Sequence, residues 1–325
     1  MPVKVKVSGA WKDAVPKVKV SGAWKDVSQK WVKVSGAWKG LLIILSGDTY
    51  SASSDGTVKK LDSSGTEVWS FTGHSGIVQT IAVDSAGNVY SGGRDNTARK
   101  INSSGTEVWS FTGNAFSVYG IAVDSSGNVY TAGVDGTVRK INSSGTQIWS
   151  FEGHTGVVAA VAVDSSGNVY SGGTGQVVKK LDSSGTEVWS FTGHSDGIRD
   201  IAVDSSGNVY SCANDNTVRK INSSGTEVWT FTEGINNLRA VAVDSSGNVY
   251  IGGNAGLLTK INSSGTEIWS FTGQTGAILG VAVDSDDNVR ICGSDNTVIA
   301  VTSGGNQIWS FTGHTDDVKD VAVIN

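Results

Sequence analysis

A repeat of unvarying length constrains this chain more than any other feature. The phrase "EVWSF", or a close variant, places a tryptophan at positions 69, 109, 149, 189, 229, 269 and 309, always at the same interval. The phrase "DSSGNVY" keeps the same step, with "SGDTY" in the first copy and "DSDDNVR" in the last. Seven units of equal length therefore run from Leu41 to Asp320, and the fold must be a repetition of one small motif.

Each unit contains four short runs of β-forming residues. In the second unit they are "IAVD", "NVYSGG", "TARKIN" and "EVWSF", separated by clusters of Asp, Ser, Gly and Asn. The 43 Gly and 2 Pro of the chain suit tight turns between strands. Four strands per unit, taken seven times, predict an all-β protein with a seven-bladed β-propeller of four-stranded blades. A solenoid is the alternative, but it would need end caps that the sequence does not show.

Several phrases resemble known propeller repeats. "GHTGVVAAVAVDSSGN" in one unit and "DNTVRKIN" at the matching place of the next resemble the Trp-Asp repeat, with Ile-Asn or Leu-Asp in place of the terminal Trp-Asp. "AVDSSGNVY" is similar to NHL-type repeats, and "LDSSGTEVWSFTG" resembles the docking phrase of quinoprotein-like propellers. The resemblance covers residues 41–325 and implies the architecture. It implies little about activity, because propellers carry unrelated functions.

The resemblance to the Trp-Asp repeat implies a structural role for the histidines. All four occupy one repeat position, at 74, 154, 194 and 314, where that family has a buried His-Asp hydrogen bond. Asn114, Gly234 and Gln274 replace His in the other units. In three cases an Asp stands at the same distance after the His. For His314, the count runs past the last unit and continues in the first unit, because the ring joins the two. The expected pairs are His74 with Asp95, His194 with Asp215, and His314 with Asp55.

The ring must close, and two segments compete for one inner strand. Residues 41–44, "LLII", and Val318–Val323 stand at the same repeat position. The C-terminal candidate supplies His314 at the His position, whereas the N-terminal candidate puts Val34 there. We therefore predict that Val318–Val323 completes the first blade beside the strand around Tyr50.

The residues that recur in every unit are interpreted as structural. "DSSGN" is a strand-to-strand turn in which Asp and Asn bond their own backbone and Gly supplies the positive φ. A metal site is conceivable only at "DSDDN", with Asp284, Asp286 and Asp287, and we expect none because a calcium loop needs more ligands. The seven Trp suit blade-to-blade packing better than sugar stacking. Cys212 and Cys292 lie two units apart, so a quinoprotein's adjacent Cys pair is missing, and we expect no cofactor.

Two segments of each unit vary while both turn phrases stay constant. One follows "FTG", and the other precedes the third strand. Because strand direction alternates, the variable loops share one face of the propeller and the constant turns share the other. Neutral drift explains such variation as well as recognition does. If the face binds a ligand, its candidate residues are the aromatic, Arg and amide side chains of these loops: Arg94, Phe116, Tyr119, Arg199, Asn236, Asn237 and Arg239.

Residues 1–40 follow a different rule. "VKVSGAWK" occurs three times, and each copy is predicted to form a small hairpin. A single hairpin is unstable alone, so Trp11, Trp24, Trp31 and Trp38 are expected to pack together or against other chains; a disordered tail is the alternative. The units resemble short "KV-Gly-Trp-Lys" repeats of bacteriophage tail and fibre proteins, which implies attachment to virion proteins or homo-oligomerisation.

Charge and chemistry narrow the function. Residues 1–40 hold nine Lys and two Asp, a net charge of +7, so the remaining residues, 41–325, carry −12 of the total of −5. An acidic body disfavours nucleic-acid binding, and no apolar run suggests membrane insertion. We expect a non-enzymatic virion protein whose propeller recognises a surface receptor or glycan. The alternatives are a bacterial scaffold, cytoplasmic or at the cell surface, that binds proteins or peptides through the same face and, least favoured, an enzyme with a site in the central channel.

Overall fold

The chain forms two compact units, Met1–Ser46 and Gly47–Asn325. The computed structural model describes the backbone of six strands within residues 4–42, together with residues 47–232 and 236–324. In the first unit the strands pair antiparallel, as predicted for the "VKVSGAWK" copies. The pairs are Lys4–Val7 with Ala10–Asp13, Lys17–Val20 with Ala23–Asp26, and Gln29–Val34 with Ala37–Leu42. The predicted packing of the four arm Trp side chains lies outside the described residues.

The second unit is the predicted seven-bladed, all-β propeller, with each blade a four-stranded antiparallel sheet. The inner strands are Val78–Val83, Val118–Val123, Val158–Val163, Ile198–Val203, Leu238–Val243, Ile278–Val283 and Val318–Val323. The second strands are Thr49–Ser53, Val89–Gly93, Val129–Gly133, Val169–Gly173, Val209–Ala213, Val249–Gly253 and Val289–Gly293. The third strands are Val58–Leu61, Ala98–Ile101, Val138–Ile141, Val178–Leu181, Val218–Ile221, Leu258–Ile261 and Val298–Val301.

The outer strands are Glu67–Phe71, Glu107–Phe111, Gln147–Phe151, Glu187–Phe191, Glu227–Phe231, Glu267–Phe271 and Gln307–Phe311. A 3-10 turn, Asn254–Gly256, precedes one third strand. Blade 1 combines the C-terminal inner strand with residues 49–71, and blades 2 to 7 follow in chain order.

The ring closes through the C-terminal strand, which confirms the prediction from the His-Asp spacing. Val318 lies opposite Ser53 and Val323 opposite Thr49 in blade 1. Of the competing segment, Leu41 and Leu42 pair with Lys30 and Gln29 in the first unit, and residues 43–44 lie outside the described residues. Both ends of the propeller chain are thereby held in one sheet.

The core lies between the blades. Every residue of the second strands is buried, whereas the outer strands are mostly exposed. Each apolar cluster draws on two neighbouring blades; one joins Tyr50 and Val58 of blade 1 to Val78 and Val89 of blade 2. A blade therefore cannot bury its apolar faces alone, and closing the ring removes the last exposed face from water.

The seven repeat tryptophans connect neighbouring blades, in line with their interpretation as packing residues. Trp69 of blade 1 donates from Nε1 to the carbonyl of Ser103 in blade 2, at 3.1 Å. Its indole covers Gly105, where an added Cβ would lie 3.0 Å from the ring and φ is +87°. Trp309 makes the same bond to Ser63 across the closure, at 3.1 Å. One indole per blade thus packs against the next blade and donates a hydrogen bond to it.

Candidate functional site

The two variable loops of a blade touch each other, as the alternation of strand direction predicted. The backbone N–H of Arg94, before the third strand, donates to the carbonyl of Ile77, before the inner strand, at 2.9 Å. The constant turns adjoin on the opposite side, where an added Cβ on Gly87 would lie 3.3 Å from Ser103 Cβ. We call these two sides the variable-loop face and the constant-turn face.

The constant turns use their polar groups internally. In "DSSGN", one carboxylate oxygen of Asp164 accepts from the backbone N–H groups of Ser166 and Asn168, both at 2.9 Å. The other accepts from the Asn168 amide at 2.8 Å and the Tyr170 hydroxyl at 2.9 Å. Burial alone would raise the pKa of Asp164, but these hydrogen bonds outweigh it and lower the pKa. The carboxylate is therefore committed to the turn.

The turn of blade 7 departs from this pattern. Arg290 replaces the tyrosine, and its fully buried guanidinium lies 3.2 Å from the Asp284 carboxylate. Burial raises the pKa of Asp284, and the charge of Arg290 opposes the shift. Within residues 47–232 and 236–324, no group of His, Cys, Asp or Glu side chains is arranged to hold a metal ion. Asp284 is therefore the partner of a buried cation.

In each of the three predicted His-Asp pairs, the structure places the His beside the Asp, beneath the variable loops of its blade. The distances from His Nδ1 to Asp Oδ2 are 3.0 Å for His74 and Asp95, 3.0 Å for His194 and Asp215, and 3.1 Å for His314 and Asp55. In blade 7 the pair is replaced by Gln274, whose amide donates to Asp295 at 2.7 Å. His154 lacks a carboxylate partner among the described residues, and burial lowers its pKa to about 4.

A serine completes each histidine site, and sequence reasoning missed it. Ser91 Oγ lies 2.8 Å from His74 Nε2, and Ser51, Ser171 and Ser211 repeat this contact at 2.8 Å. The signal was available, because each His is followed 17 residues later, counted around the ring, by Ser, whereas Asn114, Gly234 and Gln274 are followed at that spacing by Thr or Ile. The order Ser, His, Asp resembles a nucleophile relay. These four serines have no exposed surface, so no substrate can reach them.

A β-bulge at the start of every inner strand points one side chain into the central channel. In blade 2 the register passes from Val78 opposite Gly93 to Thr80 opposite Gly92, which leaves Gln79 as the extra residue. Bulges commonly re-aim side chains next to functional sites. We call the seven bulged residues the bulge ring; in blade order they are Lys319, Gln79, Tyr119, Ala159, Arg199, Arg239 and Leu279.

All seven members of the bulge ring line one cavity of about 500 Å³, at the variable-loop end of the channel. The cavity also includes Arg94 from a variable loop and Asp200 and Asp320 from the residues that follow the bulge. Four cationic side chains and a tyrosine therefore line one cavity in a propeller whose sequence is acidic overall. A cleft with walls of low dielectric focuses the electric field of such charges and attracts a ligand of opposite charge.

The two carboxylates of the cavity join neighbouring blades. Asp200 of blade 5 accepts from the backbone N–H of Val241 in blade 6 at 2.9 Å. Asp320 of blade 1 accepts from Ile81 N of blade 2 at 3.0 Å and from the Thr80 hydroxyl at 3.2 Å. Burial raises the pKa of Asp200 to about 7 and that of Asp320 to about 6. Both groups are structural partners of the backbone and weak counter-ions for the cations.

The structure separates the predicted binding residues into two sets. Arg94, Tyr119, Arg199 and Arg239 line the cavity. Phe116 stands 56 % exposed on a variable loop outside it. Asn236 and Asn237 also lie outside; Asn237 has φ of 53° and donates its N–H to the Asn216 side chain at 2.8 Å. Gly234 lies outside the described residues.

Comparison with known families places the chain among quinoprotein-like propellers. A family model described as outer membrane protein assembly factor BamB matches residues 54–155, 134–240 and 214–323. The chain belongs to this family. The three overlapping matches span the ring, as expected when a BamB-type model recognises a repeating blade. No curated protein matches the sequence, and in the described part of the chain no helix is long and apolar enough to cross a membrane. The resemblance of the arm to phage tail repeats stays a prediction.

Proposed function

We propose that this BamB-type propeller is a non-enzymatic binding protein that captures its ligand at the bulge ring. The bulge ring carries the proposal, because the backbone device is the same in all seven blades while the residue it presents differs almost every time. The inner strands hold these side chains rigidly, which limits the entropy lost on binding. Buried serines and the lack of a metal-holding group among the described residues support binding without catalysis.

The arm and the expected biological setting extend this proposal. Paired "KVKV" and "AWK" strands suit an attachment or oligomerisation module, and the resemblance to phage tail repeats favours a virion protein that recognises a cell-surface receptor or glycan. The match to an assembly-factor family favours a second candidate, a bacterial scaffold that binds a protein or peptide through the same ring. Both candidates place the ligand at the bulge ring.

Binding of the full-length chain to a glycan array and to bacterial cells tests the proposal. A variant with Tyr119, Arg199 and Arg239 changed to Ala should lose about tenfold or more in binding, because these are the aromatic and Arg types that dominate binding energy. The matched control changes Arg99, Arg139 and Arg219, which are ion-paired on third strands, and should bind normally. Binding unchanged in the first variant would refute capture at the ring.

A further inference from the structure

Arginines inside and outside the channel differ in their partners. The four outside, Arg99, Arg139, Arg219 and Arg290, each lie within ion-pair distance of a carboxylate. The three that line the cavity have no such carboxylate among the described residues. Arg94 and Arg199 donate from Nε to uncharged side-chain oxygens, of Gln79 at 3.4 Å and of Asn214 at 2.6 Å. The three cavity arginines therefore form no ion pair within the described part of the chain, whereas Lys319 pairs with Asp317 at 2.7 Å.

Arg199 and Arg239 form an adjacent pair within this set. They are the bulged residues of blades 5 and 6, so neighbouring inner strands present them side by side. The Nε of Arg239 is buried and has no hydrogen-bond partner in the described residues. Burial lowers the pKa of Arg239, and the positive charge of Arg199 adds to this effect. Two like charges and an unsatisfied donor are unfavourable in isolation, and a bound anion would relieve both.

We propose that Arg199 and Arg239 bind the carboxylate of an acidic sugar, an inference that rests on the proposed capture of a ligand at the bulge ring. The planar guanidinium presents two parallel donors that match a carboxylate, and two such groups can engage both of its oxygens. Asp200 forms no ion pair with either arginine, and its oxygens accept instead from the backbone N–H groups of Ile201 and Val241.

The remainder of the cavity favours a sugar over a peptide. A volume of about 500 Å³ suits a small ligand. Gln79 and Tyr119 supply an amide and a phenol of the kinds that pair with hydroxyl groups. A peptide helix or a proline-rich segment would need an apolar or aromatic groove, and Tyr119 is the one aromatic residue among those that line this cavity. Arg199 and Arg239 would thus bind the carboxylate of the sugar, and Gln79 and Tyr119 would form hydrogen bonds with its hydroxyl groups.

Calorimetric titration of the full chain with glucuronate, glucose and tetraglutamate tests the assignment. Glucuronate should bind and glucose should not. Arg199→Gln and Arg239→Gln should each weaken glucuronate binding about tenfold or more, the size expected when hydrogen bonds to a charged group are lost. Arg199→Lys should retain part of it, since the charge stays and the fork is lost. Arg219→Gln, on the same blade as Arg199 but paired with Glu227, should bind like the unchanged chain.

Three results would overturn the inference: equal heats with glucose, binding of tetraglutamate but not glucuronate, or an equal loss in Arg219→Gln. Melting temperatures of all variants establish that each is folded. If the chain binds neutral glycans or cells through Tyr119 while glucuronate gives no heat, the carboxylate site is wrong and capture at the bulge ring stands. If the alanine variant of the bulge ring leaves array and cell binding unchanged, the proposed function itself fails.

Discussion

The two faces of the propeller use the same types of residue in opposite ways. On the constant-turn face, Tyr170 donates to Asp164 and Trp69 donates to the neighbouring blade, so polar groups are used by the fold. On the variable-loop face, Tyr119, Arg199 and Arg239 lie around a cavity, and the two arginines have no carboxylate partner among the described residues. The comparison teaches that polar groups paired within the protein serve the fold, and the unpaired arginines of the cavity are the ones that we propose to bind a ligand.

Aromatic truncation should give the largest contrast between the faces. Trp189→Ala should lower the free energy of unfolding by about 3 kcal/mol, since it removes a blade-to-blade contact and leaves a cavity. Its indole donates to Ser223 of the next blade at 3.1 Å. Phe116→Ala on the variable-loop face is the control and should cost less than about 0.5 kcal/mol, because Phe116 is largely exposed. Chemical denaturation monitored by circular dichroism measures both, and equal losses would contradict the division.

The closing blade offers an internal control for the turn hydrogen bond. In blade 4 the Tyr170 hydroxyl donates to Asp164 at 2.9 Å. In blade 1 the equivalent turn is interrupted where the two ends of the propeller unit meet, Ile324 follows the inner strand, and the buried Tyr50 hydroxyl has no partner in the described residues. Tyr170→Phe should therefore lower the free energy of unfolding by about 1–2 kcal/mol.

Tyr50→Phe should be neutral or slightly stabilising, because it removes an unsatisfied buried hydroxyl and leaves the ring in place. The pair is compared by denaturation under identical conditions. A loss for Tyr50→Phe as large as that for Tyr170→Phe would mean that the ring, and not the hydrogen bond, accounts for the tyrosine.

Repetition explains which features the sequence could predict. The constant step between the repeat tryptophans predicted the number of blades. The spacing from His314 to Asp55 predicted which strand closes the ring, because both features depend only on counting along the chain. The bulge was not predicted, since an extra residue present in every unit leaves the period unchanged. Gln79, Ala159, Leu279 and Lys319 were therefore missed as members of the ring, although the residue at this repeat position varies between units.

The acidic side chains of the channel were missed for another reason. Asp200 and Asp320 lie in strands where other units have Thr, Gly or Ala, and a lone carboxylate in a β run gives no sign of the backbone it will meet. Their partners, Val241 and Ile81, belong to the next blade. Contacts across a blade junction depend on the angle between sheets, which the sequence pattern does not contain.

The smallest predicted effect has the most informative sign. Arg239→Gln should raise the free energy of unfolding by a few tenths of a kcal/mol at low salt, because it removes the repulsion from Arg199. The gain should shrink as added salt screens the charges. Arg219→Gln should instead lower stability slightly, since it breaks the ion pair with Glu227. Denaturation at two salt concentrations measures both differences. If Arg239→Gln is destabilising at low salt, Arg239 serves the fold, and the variable-loop face would then resemble the constant-turn face in using its charged groups for structure.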